Sequence, residues 1–168
     1  MRLLIQSKHS RQTEKSDYMK LDETNKAIIN FLIRDGKTPY SLIAQSLGIT
    51  ENTVRSRVNQ MLKDRILTVS GLIDPEKVSD MQVVIMGVKL STMDLEKKAE
   101  EFLKLKGVIS AVVVTGRYDL IVQLATSTEN EQSLLNFFKN ELAKIDGVSD
   151  VETFVVYQSH NFRIPYLV

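Results

Sequence analysis

The sequence predicts an α+β chain: a trihelical, winged helix-turn-helix unit followed by a ferredoxin-like βαββαβ domain. Three observations predict it. In Gly48–Leu62, GITENTVRSRVNQML, the residues Val54, Val58, Met61 and Leu62 fall at spacings 0, 4, 7 and 8, one stripe of an α-helix. From Met81 onward, apolar runs of strand type alternate with helical stripes in the order β-α-β-β-α-β. The two later helices both leave through a Gly-Val pair, Gly107-Val108 and Gly147-Val148, a faint internal repeat.

The first helix starts at Asp22, a good N-cap, carries Ile28, Ile29 and Leu32, and ends at Asp35-Gly36. Thr38-Pro39 opens the second: a hydroxyl cap, then proline at the first helical position, with Leu42, Ile43 and Leu47 inward. Gly48 turns the chain and Thr50 caps the third helix, which runs to about Lys63. Thr68–Leu72 reads as a short strand before the linker at Asp74-Pro75.

Met81–Leu90 is the first long strand. Asp94 caps a helix with Leu95, Ala99, Phe102 and Leu103 inward, stopped by Gly107. Val108–Thr115 and Tyr118–Ala125 are strands joined at Gly116-Arg117. Thr128 and Glu131 make a capping box for a helix with Leu134, Leu135, Phe138, Leu142 and Ile145 inward, and Val148–Gln158 is the last strand. Two right-handed units of this kind give one sheet with both helices on one face. The strands are apolar on both sides, so a second copy of the domain, packed face to face, is expected to cover the other. The expected divisions are a tail at 1–19, a helix-turn-helix unit at 20–70, a linker at 71–80, the ferredoxin-like domain at 81–160 and a tail at 161–168.

Composition excludes several classes. The chain has no cysteine, which removes disulfides, thiolate zinc sites and a cysteine nucleophile. Its two histidines, His9 and His160, have no ligating neighbour in sequence, so no metal is expected. No Ser-His-Asp, phosphate-loop or dinucleotide pattern is present. No apolar run approaches the ~20 residues that span a bilayer, and the N-terminus is too polar for a signal peptide, so a cytoplasmic protein with no membrane role is expected. Charge is divided: residues 20–70 carry eight Lys/Arg against five acids, residues 71–168 ten against fourteen. A basic front and an acidic rear suggest an anionic partner for the front.

That partner is expected to be double-stranded DNA. The third helix shows Asn52, Ser56, Asn59, Gln60 and Lys63 away from its apolar stripe, with no carboxylate among them. Asn52, Thr53, Ser56 and Asn59 suit base edges in the major groove. Arg55, Arg57, Lys37 and Lys63 suit phosphates, as do Tyr40 and Ser41 at the start of the second helix, while Thr50 caps the reading helix. The turn Val112–Val122, VVVTGRYDLIV, reads first as a hairpin. Its Gly116 also lets a ligand approach the backbone, and Asp119 can accept an ammonium.

The segments Gly48-Ile49-Thr50, Arg57-Val58 through Met61-Leu62 to Arg65-Ile66-Leu67, and Thr115-Gly116-Arg117-Tyr118-Asp119-Leu120 resemble the Lrp/AsnC (feast/famine) transcription regulators, with 20–160 covered in order. The resemblance implies an N-terminal DNA-binding unit and a C-terminal ferredoxin-like domain that dimerises. It implies assembly of dimers into tetramers or octamers and a free amino acid as effector, held between dimers at Gly116, Tyr118 and Asp119. No other cofactor is implied. At Arg65 many members carry a glycine or another small residue. Enzyme relatives on the same fold decarboxylate sirohaem; a tetrapyrrole decarboxylase is therefore the alternative, weakened here by a turn holding only Arg117 and no nearby histidine.

Overall fold

The computed structural model describes residues 21–128 and 133–166. The expected tail at 1–19 and most of the Thr128–Glu131 capping box lie outside the described residues. The chain separates into two compact units, one up to Ser70 and one from Gly71.

The first unit holds α1 (Glu23–Arg34), α2 (Tyr40–Leu47) and α3 (Glu51–Lys63). Asp22 caps α1, its carboxylate accepting from the Asn25 N–H at 2.7 Å. Thr50 caps α3 through the Thr53 N–H at 3.2 Å, and Gly48 ends α2 at φ +65°. The start of α2 departs from expectation. The Thr38 hydroxyl donates back to the Asp35 carbonyl at 2.6 Å, and Pro39 rather than Thr38 occupies the N-cap, its carbonyl accepting from Leu42 and Ile43 with no side-chain cap.

Ile28, Leu32, Ile43, Ala44, Val54, Val58 and Met61 form the core of this unit. Leu42 and Leu62 are 49% and 39% exposed, against the expected stripes. Each has a neighbour, Ala44 or Met61, that already faces the narrow seam three short helices enclose. Nor does a strand form at Thr68–Leu72. Arg65 turns to φ +55°, and the N–H groups of Ile66 and Leu67 both close on the Met61 carbonyl.

The second unit contains β1 (Met81–Leu90), α4 (Leu95–Phe102), β2 (Val108–Val113), β3 (Leu120–Ser127), α5 (Leu134–Asn136) and β4 (Val148–Val155). The sheet is antiparallel throughout, in the order β2-β3-β1-β4. Helix α5 continues through a π-helical turn at Phe137–Glu141 and a 3-10 turn at Leu142–Lys144. One face of the sheet buries Val84, Met86, Val88, Leu120, Val122 and Leu124 against Ala99, Phe102 and Leu105 from the α4 region and Phe137 and Ile145 from the α5 region.

Several inward residues differ from the sequence reading. Helix α4 ends at Phe102, leaving Leu103 50% exposed while Leu105 turns inward from the following turn. Ser133 rather than Thr128 caps α5, and Leu135 is 61% exposed while Phe137 is buried. The other expected residues, Leu134, Phe138, Leu142 and Ile145, do pack on the core. Strand β4 stops at Val155, and Tyr157 stands fully outside.

The other face of the sheet is set by the same register. Ile85 pairs with Gln123 and Phe154, and Gly87 with Ile121 and Glu152. Val83 is buried on this side, but Val112 and Phe154 are about half exposed at 52% and 48%. The segments expected to be a linker and a tail are joined: Ile73 and Ile164 exchange backbone hydrogen bonds of 2.9 and 3.2 Å. Among the described residues no helix is long and apolar enough to cross a membrane.

Candidate nucleic-acid interface and ligand turn

The sequence of α3 fixes which side it shows. Val54, Val58 and Met61 are fully buried, which rotates Asn52, Arg55, Ser56, Asn59, Gln60 and Lys63 to the exposed side. Asn52, Thr53, Ser56, Arg57 and Gln60 line one shallow groove together with Asn25 of α1. Gln60, placed on the outer face by the sequence but given no contact there, lies one turn beyond Ser56 on the same row. Its amide nitrogen is held between the two Asp64 oxygens at 2.9 and 2.8 Å.

The cations differ in freedom. Arg55 pairs with Glu51 at 2.6 Å and sits 5.4 Å from the Tyr40 ring, joining α3 to the start of α2. Lys37 and Ser41 are exposed nearby in sequence. Thr50 is exposed but its hydroxyl is shared between capping and the Thr53 hydroxyl at 2.9 Å. Arg57 is turned toward α1 instead of outward: it donates to Asp22 at 2.6 Å and to the buried Asn25 at 3.0 Å. Hydrogen bonds from the Asn25 backbone and from Arg57 hold the Asp22 carboxyl below the usual range. Arg57, expected at a phosphate, here joins the reading helix to α1 through one guanidinium nitrogen.

The second candidate, the turn between β2 and β3, folds over the sheet's open face. Gly116 has φ +130°, a conformation that excludes most side chains, and open space where a Cβ would stand. Tyr118 lies on Gly87: a Cβ there would meet the ring at 2.7 Å. Gly87 is thus a neighbour of the candidate turn that the sequence reading missed. A lone glycine inside the strand run MQVVIMGVKL is the signal of such an approach. Arg117 stacks 5.4 Å from the Tyr118 ring and reaches Glu152 at 3.2 Å.

Asp119 faces inward. Its carboxylate accepts from the Leu90 N–H at 2.8 Å, and its own N–H donates to Val88. This pins the start of β3 to the end of β1. The expected ammonium contact would share that carboxylate with a structural bond. Among the described residues no group of three or more acids and histidines could hold a metal ion.

Two family models match the chain: the AsnC-type helix-turn-helix domain over residues 21–62 and the Lrp/AsnC ligand binding domain over residues 83–164. The HTH-type transcriptional regulator PH0140 of Pyrococcus horikoshii is 32% identical over 91% of this chain and 92% of its own length. The regulator LrpA of the same organism is 30% identical over 78% and 92%. Among solved structures, Escherichia coli AsnC superposes with a TM-score of 0.68 at 23% identity, over 87% of this chain and 97% of that one. A transcriptional regulator from Neisseria meningitidis, solved as an L-Met complex, gives 0.68 at 20% identity, over 85% and 94%.

Proposed function

This chain belongs to the Lrp/AsnC family of helix-turn-helix transcription regulators, and from that premise we propose how it meets DNA and effector. Helix α3 enters the major groove. Asn52, Thr53, Ser56 and Asn59 read base edges, while Lys37, Tyr40, Ser41, Arg55 and Lys63 hold phosphates beside the Thr50-capped start of α3. Arg57 acts indirectly, bracing α3 against α1. The observation that carries this reading is the fully buried Val54-Val58-Met61 stripe, which leaves an outer row of amides and a hydroxyl flanked by cations.

Two copies, joined through the open faces of their sheets, present two such helices to a pseudo-palindrome in the cytoplasm. Half-exposed Val112 and Phe154, beside Ile85 and Ile121 on a face that also carries Gln123 and Glu152, support this pairing. Gel-shift titration tests the reading helix. Asn52→Ala and Ser56→Ala should narrow the gap between operator and unrelated DNA, whereas Arg55→Ala should weaken both alike. Wild-type affinity and selectivity in all three would refute the assignment.

A free amino acid is the proposed effector. Its carboxylate meets backbone N–H groups near Gly116, and Tyr118 and Asp119 border it. The L-Met complex of the Neisseria neighbour supports the ligand class. Calorimetry with the twenty amino acids on wild type and Tyr118→Ala provides the check; silence from all twenty removes the effector while leaving the DNA reading intact. The tetrapyrrole alternative finds no support in a turn whose one cation already reaches Glu152. Absorbance unchanged on adding sirohaem would close it.

A further inference from the structure

The segment after β4 does not trail away. Ile73 and Ile164 form a two-way backbone pair, and Ile164 is buried at 2% exposure. One residue along, Arg163 reaches the Asp74 carboxylate at 3.3 Å. Further on, Glu76 accepts from both the N–H and the hydroxyl of Ser159, the latter at 2.8 Å. Three contacts of different kinds thus fasten the stretch 73–76 to the stretch 159–164. Pro75 is buried, and its 3-10 turn runs on toward β1.

We propose that Ser159, Arg163 and Ile164 are positioning residues for DNA reading: they clasp the segment leading to the helix-turn-helix unit and so fix the half-site spacing the regulator accepts. The inference rests on the paired-operator reading above. Fastened, the chain leaves the ligand-binding domain at Ile73. Unfastened, its next backbone hydrogen bond to the rest of the domain is at Asp80, whose carbonyl accepts from the Thr128 N–H at 2.9 Å. The stretch released could extend by on the order of 20 Å at ~3.3 Å per residue. That is more than half of the ~34 Å turn of the duplex. A regulator with the clasp closed should therefore discriminate sharply between spacings, and one with it open should not.

The test uses the full-length protein and operators whose half-sites are moved apart base pair by base pair. Light scattering and footprinting come first; a monomer, or a footprint on one half-site, would overturn the paired-operator reading and this proposal with it. Given a paired footprint, Ser159→Ala with Arg163→Glu should keep single-half-site affinity but lose about tenfold of the preference for the best spacing over one half a turn away. Adding Asp74→Arg should restore part of it by reversing the ion pair. Unchanged spacing preference would overturn the clasp alone.

A second variant guards against simple unfolding. The chain has no cysteine, so Ile73→Cys with Ile164→Cys would create a single disulfide across a hydrogen-bonded strand pair, whose Cα separation of about 5.5 Å suits one. Oxidised protein should be stricter about spacing than the same protein reduced. Equal profiles in the two states would refute the proposal.

Discussion

Arg65 holds a left-handed conformation, φ +55°, just after the cap of α3. A side chain there crowds its own carbonyl, and glycine is the usual occupant. Arg65→Gly should raise the stability of the helix-turn-helix unit by about 1 kcal/mol, read as a higher urea midpoint. The opposite sign is expected at Thr50: Thr50→Ala strips the cap from α3 and should cost about 1 kcal/mol. Asp22 makes stability depend on acid. Its folded pKa lies below the ordinary carboxyl value of 3.8, so what it contributes is complete above that value and is lost as pH falls through the depressed one. Thermal melting of wild type should fall away on that acid limb, and Asp22→Asn should start lower with a flatter limb. The caps at Asp22 and Thr50 were legible as a short oxygen before an apolar stripe, although the same signal at Thr38 and Asp94 makes no side-chain cap. The inward turns of Arg57 and Asp119 were not, because each finds its partner, Asp22 or Leu90, far away in sequence.

At the scale of elements, α3 and β1 were read from sequence with correct bounds, since a long run of one period overrides its neighbours. In the α5 region Leu134, Phe138, Leu142 and Ile145 face the core as the sequence predicts, while Leu135 is exposed and Phe137 takes its place, at the start of a π turn that has no marker in composition. The wing strand failed because its pairing depended on where Arg65 sent the chain. Packing makes a firm prediction for α4: Phe102 is wholly buried, and Phe102→Ala should cost about 3–5 kcal/mol by chemical denaturation. Gly87 makes a more selective one. Gly87→Ala must push the Tyr118 ring off the strand, so it should abolish the proposed amino-acid response while the circular dichroism melt moves little. Loss of both together would mean that the ring is structural only.

For the whole molecule, charge decides how binding responds to salt. With Arg57 bracing α3 against α1, the proposed phosphate cations in each copy are Lys37, Lys63 and Arg55, the last of which must exchange its Glu51 partner for the backbone. Six contacts in the proposed dimer imply a slope of log affinity against log salt near −5. A slope near −2 by gel shift would mean that most of these cations do not touch the backbone. The acidic domain from residue 71, with ten Lys/Arg against fourteen acids, adds nothing to that slope and opposes its own approach to the duplex.

The Tyr118 ring resting on Gly87 gives the ligand turn and the proposed mating surface one patch of strand in common. Thermodynamic reciprocity then makes dilution a variable of ligand affinity: whatever favours the mated form must shift the titration midpoint, and an occupant of the turn must shift self-association by the same factor. A nanomolar and a micromolar sample of this chain should disagree about how tightly they hold the same amino acid.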